Sequence, residues 1–117
     1  MPVIPISPGQ SVDWDGRRFE VSASAHAPVG AVVRALGLQG WADLKKAVPE
    51  IAHLKWPAAA AATLPVVEVA GAIVAYPGVS SVMDSVQGLP STVRTAWTAF
   101  CNERETSLRA VFGYAGW

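Results

Sequence analysis

The sequence predicts an α+β fold: a single compact domain of two β-hairpins with helices packed on them, preceded by an extended amino-terminal arm. Three observations predict it. Two segments rich in β-branched and aromatic residues, 11–23 and 65–76, each turn back at a glycine, Gly16 and Gly71. Other segments place apolar residues three, four and seven apart, the spacing of one helix face. The chain has 117 residues, 51% of them hydrophobic and only 15% charged, where about a quarter is usual. That is enough for one core. So few charges leave apolar surface uncovered, and exposed apolar patches mark contacts with another surface.

The elements follow in chain order. "PVIPISPG" (2–9) holds three prolines and a glycine, so it reads as an extended arm over residues 1–10. In "SVDWDGRRFEVSA" (11–23), Asp15-Gly16 is a preferred type I′ hairpin pair between Val12 and Trp14 on one side and Phe19 and Val21 on the other. "APVGAVVRALGL" (27–38) opens with Pro28, suited to a first helical turn, and sets Val29, Val32, Val33 and Leu36 on one helix face, with Gly37 as its stop. "GWADLKKAVPEIAHLKW" (40–56) predicts a short helix that breaks before Pro49. "PAAAAATLP" (57–65) is bounded by proline and reads as a connection.

"TLPVVEVAGAIVAYPG" (63–78) is nearly all apolar, but Glu68 interrupts it and Pro65 would break a helix, so no membrane span is expected. "PVVEV" and "AIVAY" around Ala70-Gly71 predict a buried second hairpin, with Pro65 at the strand start, where a missing N–H costs least. Val79, Val82, Met83 and Val86 then predict a helix, with Ser80, Ser81 and Asp84 on its polar face. In 90–113, Val93, Trp97, Phe100, Cys101, Leu108, Val111 and Phe112 form the apolar stripe of a long helix. The domain proper is then 11–111, and "FGYAGW" (112–117) is an aromatic tail. Val29, Val32, Val33 and Leu36 recur fifty residues later as Val79, Val82, Met83 and Val86. The two halves can therefore be laid side by side as a ββαα duplication, although any two amphipathic helices share this template.

Chemistry-bearing patterns are sparse. Lys+Arg and Asp+Glu number 9 each, so formal net charge is zero and no basic stripe for nucleic acid stands out. Cys101 is the single cysteine, which excludes an intramolecular disulfide. Glu50 and His53 have a Glu-x-x-His spacing without the second copy that carboxylate-bridged metal sites need, and His26 has no ligand at helical spacing. "PGVSSV" (77–82) lacks a G-x-S-x-G elbow. No catalytic residue, cofactor or metal is expected. The opening residues carry neither a basic segment nor a long apolar core, so a secretory signal is not expected and the location implied is cytoplasmic or virion-associated.

"LPVVEVAGAIVAYPGVSSVM" (64–83), with "FEVSASAHAPVGAVVRALGL" (19–38) before it, resembles the thioredoxin-like domain of glutathione transferases. The resemblance implies a cis-proline at Pro65, backbone of Val66 offered to glutathione, and a small-molecule binding role. Tyr76-Pro77 falls where the family keeps a polar pair, and only Ser22 or Ser24 could serve after the first strand. This reading stands as the rival and not the leading one.

The leading reading comes from five tryptophans in so short a chain. One core cannot easily bury all of Trp14, Trp41, Trp56, Trp97 and Trp117, and tryptophan is enriched at interface hot spots. The expectation is a non-enzymatic structural or assembly subunit working through protein–protein contacts with itself or other subunits, in style a bacteriophage virion, tail or assembly component. Expected contact residues are Val3, Ile4 and Ile6 of the arm, with Trp14, Trp41, Trp56, Tyr114 and Trp117. A third reading is a small inhibitor or immunity-type protein with one bacterial partner.

Overall fold

The computed structural model describes residues 3–16, 19–105 and 112–116, with backbone alone at 104–105 and 113–116. Its strands are β1 (Val3–Ile6), β2 (Ser11–Trp14), β3 (Phe19–Ala23), β4 (Ala31–Ala35), β5 (Pro65–Val69), β6 (Ala72–Ala75) and β7 (Phe112–Gly116). The helices are α1 (Gly37–Ala47), α2 (Ala58–Ala61), α3 (Pro77–Ser85) and α4 (Ser91–Glu105), with a 3₁₀ helix at Pro49–Leu54 between α1 and α2. Two antiparallel sheets result, one ordered β1-β4-β5-β6 and the other β2-β3-β7. The α+β class holds, and both hairpins form, the second on its expected two-residue turn and the first through a longer connection.

In the first hairpin Asp15 and Gly16 both take positive φ, 55° and 62°, but Trp14 pairs with Phe19, so four residues separate the paired positions where the expected two-residue Asp15-Gly16 turn would leave two. In the second, Val69 pairs with Ala72 across Ala70-Gly71, whose φ values of 52° and 83° are those a two-residue type I′ turn requires. Pro65 begins β5 opposite Ala35.

The largest difference from the expectation lies at 27–38, which forms strand β4 and not a helix. Its burial alternates with period two: Ala31, Val33 and Ala35 are buried, while Val32 and Arg34 are half-buried. Gly30 and Gly37 bracket the strand at φ 88° and 80°, outside helical space. β-Branched Val32 and Val33 suit a pleated surface, and β4 has a partner on each side, so the row Ile4–Val33–Val67 crosses three strands. Pairing on both edges overrides the helical spacing. Val29, assigned to the helix face, is instead 85% exposed. The fifty-residue repeat therefore matches a strand to a helix, and the duplication has no counterpart in the fold. The glutathione-transferase pattern loses its first helix for the same reason, and the bond before Pro65 is trans in the extended start of β5.

Helix α3 packs against β5 of one sheet and β7 of the other, so it is covered nearly all round. Ser80 and Ser81, expected on a wet face, are buried. Ser80 Oγ accepts a hydrogen bond of 3.1 Å from Trp97 Nε1 on α4, which satisfies both groups away from water. Tyr76, Trp97 and Phe100 cluster there with ring centroids 5.4–5.7 Å apart. Val93, Trp97, Phe100 and Cys101 make the buried stripe of α4, as their spacing predicts. The helix does not extend to residue 113. Phe112–Gly116 is β7, paired along β3 from Ala23 to Phe19. Leu108 and Val111 lie outside the described residues.

Candidate contact site

The residues expected to meet a partner are spread over the molecule. The arm is not free: β1 pairs with β4 of the same chain, with Ile6 buried, Ile4 half-buried and Val3 58% exposed. Trp14 is buried and donates from Nε1 to the carbonyl of Thr63 at 3.0 Å, tying the first hairpin to the approach to β5. Trp41 is buried and stacks on half-buried Trp56, with centroids 5.8 Å apart and planes at 13°. Lys45 Nζ lies 5.6 Å from the Trp41 centroid, a cation–π contact. Trp14 and Trp41 thus serve the chain's own core. Tyr114 sits opposite Val21 in β7, and Trp117 lies outside the described residues.

Of the expected set, Val3 stands at an exposed apolar surface together with a residue the spacing did not single out. An open depression of about 440 Å³ is lined by Val3, Arg34, Ala35, Leu38, Ala62 and Thr63 among others. Leu38 is 64% exposed, so two of the three large exposed hydrophobic residues among those described, Val3 and Leu38, border one groove. Several features hold this groove in place. Leu36 N–H donates to the carbonyl of Leu64 and Gly37 N–H to that of Ala62, both at 2.9 Å, joining the corner between β4 and α1 to the chain entering β5. Arg34 is a fixed wall. It pairs through Nε with Glu68 Oε1 at 2.9 Å, diagonally across β4 and β5, and donates from a terminal nitrogen to the carbonyl of Ala35 at 2.8 Å.

β1 is also an outer strand of its sheet. Proline has no N–H for a ladder, so Pro5 blunts this edge against open-ended strand addition. What the edge offers is side chains beside the groove and not a full set of backbone donors.

Leu38 was hard to find from spacing. It lies three residues before Trp41, which is buried, so the pattern marks it as core. It emerges only because β4 turns into α1 at Gly37, placing the first turn at the rim. Among the described residues, no group of three or more His, Cys, Asp and Glu could hold a metal, and no helix is long and apolar enough to cross a membrane. His26 and His53 are exposed, and Cys101 is a buried free thiol.

Fold and groove together give an α+β domain on two antiparallel sheets, with an apolar depression open beside Val3 and Leu38. No protein-family model matches the chain, and neither a curated protein nor a solved structure does.

Proposed function

We propose that the chain is a non-enzymatic structural or assembly subunit, acting through protein–protein contacts made by the face that Val3 and Leu38 border. The observation that carries this reading is the exposure of both side chains beside one depression. Burying a valine or leucine from water is worth roughly 1.5–3 kcal/mol when complete. Two such residues, each more than half exposed, are therefore a costly surface to leave open and effective anchors once covered. On its tryptophan content and balanced charge, the proposal extends to a bacteriophage virion, tail or assembly component.

The test is absolute mass by light scattering across a tenfold dilution series, for the wild type beside Leu38→Asp. A species heavier than 12.3 kDa that falls apart on dilution, and is lost in Leu38→Asp, supports self-assembly through this face. A monomer at every concentration sinks self-assembly. A heavier species indifferent to the substitution places the contact elsewhere. Removing residues 112–117 would be a poor test, because it deletes β7 and buried Phe112.

A further inference from the structure

A second depression, of about 200 Å³, lies at the tip of the first hairpin. Phe19, Leu64 and Ala61, all buried, belong to its lining, and Trp56 and Val82 of α3 complete its apolar walls. One face of Trp56 is taken by Trp41, which fixes the plane of the indole. Polar groups are few. The hydroxyl of Thr63 donates to the carbonyl of Ala60 at 2.7 Å, and the Thr63 carbonyl accepts from Trp14. That leaves the carboxylate of Asp15, held at the turn by its left-handed backbone and engaged in no hydrogen bond or ion pair with the described residues.

We infer that this pocket binds an arylalkyl ammonium, a single aromatic ring carrying a short cationic arm. Size argues for one ring: a dry cavity of about 150 Å³ accepts benzene, whereas drug-sized ligands occupy roughly 300–1,000 Å³. Chemistry argues for the cation, since the carboxylate at the rim pairs with an ammonium and an indole wall attracts one. The apolar walls argue against a small hydrophilic ion, which would lose its hydration there with one carboxylate in return. The site shares only Thr63 with the groove beside Val3 and does not depend on that groove being a contact face.

The experiment is an NMR titration of the tryptophan indole N–H signals with 2-phenylethylamine, beside its neutral counterpart 2-phenylethanol. The wild type and Asp15→Asn are compared. Asparagine tolerates the left-handed backbone of position 15, so the hairpin survives the change. In the wild type the amine should move the Trp56 signal at lower concentration than the alcohol, by about two- to fivefold, the range of an exposed ion pair. Asp15→Asn should abolish that preference while leaving alcohol binding in place, and Ala60→Leu, which fills the mouth, should weaken both. Failure of both compounds to move Trp56 up to solubility would overturn the pocket. Equal binding of amine and alcohol in the wild type, or a preference that persists in Asp15→Asn, would overturn the cation's role.

Discussion

Replacing Gly78 by alanine puts the packing of α3 against β5 to a direct test. Gly78 is the second residue of α3, and its backbone does not require glycine, so only space is at issue. A Cβ there would collide with Pro65 Cδ and stand 2.8 Å from Pro65 N and 3.0 Å from Leu64 Cβ. Carbon atoms prefer about 3.5–4.0 Å, so helix and strand would have to part by roughly 1 Å. Little can give. Pro65 is paired with Ala35, the Leu64 carbonyl accepts from Leu36 N–H, and α3 is backed by β7 on another side. Overpacking of this kind costs about 1–3 kcal/mol, against at most about 1 kcal/mol gained in helix propensity. The expected net loss is about 2 kcal/mol, or a fall in Tm on the order of 5–10 °C. Urea unfolding followed by tryptophan fluorescence, with a thermal melt by circular dichroism, would measure it. Gly40→Ala is the control. Its Cβ would meet Leu36 Cδ1 at 2.8 Å, the far end of a flexible side chain, and it gains helix propensity in the interior of α1, so it should stay within about 1 kcal/mol of wild type. If Gly78→Ala proves as stable as wild type, or Gly40→Ala costs more than Gly78→Ala, the close approach of α3 to β5 is wrong.

Two further substitutions probe the hairpin and the aromatic cluster. Ala70 occupies φ 52° in the second turn, where a side chain of this kind is strained by roughly 1–2 kcal/mol; Ala70→Asn restores the favoured Asn-Gly pair and should raise stability by about 0.5–1 kcal/mol, read as a higher urea midpoint at unchanged slope. Ser80→Ala leaves the indole N–H of Trp97 buried without its acceptor and should cost about 1–3 kcal/mol, a loss that shrinks when Trp97→Phe has already removed the donor; equal costs in both backgrounds would show that the hydrogen bond contributes nothing.

What was legible in the chain was what depends on neighbours in sequence. Ala70-Gly71 marks its turn because the backbone geometry of a tight reversal is local, whereas Asp15-Gly16 marks the place of the first reversal but not its length, which the pairing of Trp14 with Phe19 sets. The stripe of Val93, Trp97, Phe100 and Cys101 marks α4 because it needs only one buried side. Residues 31–35 failed because Val29, Val32, Val33 and Leu36 satisfy the helical spacing while Ala31, Val33 and Ala35 satisfy the alternating one. The decision rests with Ile4 and Val67, which pair with Val33 from remote parts of the chain. Ser80 and Ser81 misled for a related reason: a helix packed against two sheets keeps only a narrow wet side, and here Asp84 and Ser85 take it. The contact face was least legible. Tryptophan content pointed to surface anchors, yet Trp14 and Trp41 found places inside, and the exposed apolar residue beside Val3 is a leucine whose spacing reads as core.

The pairing of Phe112–Gly116 with Phe19–Ala23 has a consequence for how the molecule is made. Contacts between such distant segments close a loop of most of the chain, which slows folding. During synthesis β3 emerges well before its partner β7, so that edge of β3 lacks its ladder until residues 112–116 have followed. The four-stranded sheet, by contrast, draws all its strands from residues 3–75 and can assemble while translation continues. Until β7 arrives, α3 also lacks its contact with that sheet. The three-stranded sheet is therefore completed only once β7 has been made, long after the hairpin it joins.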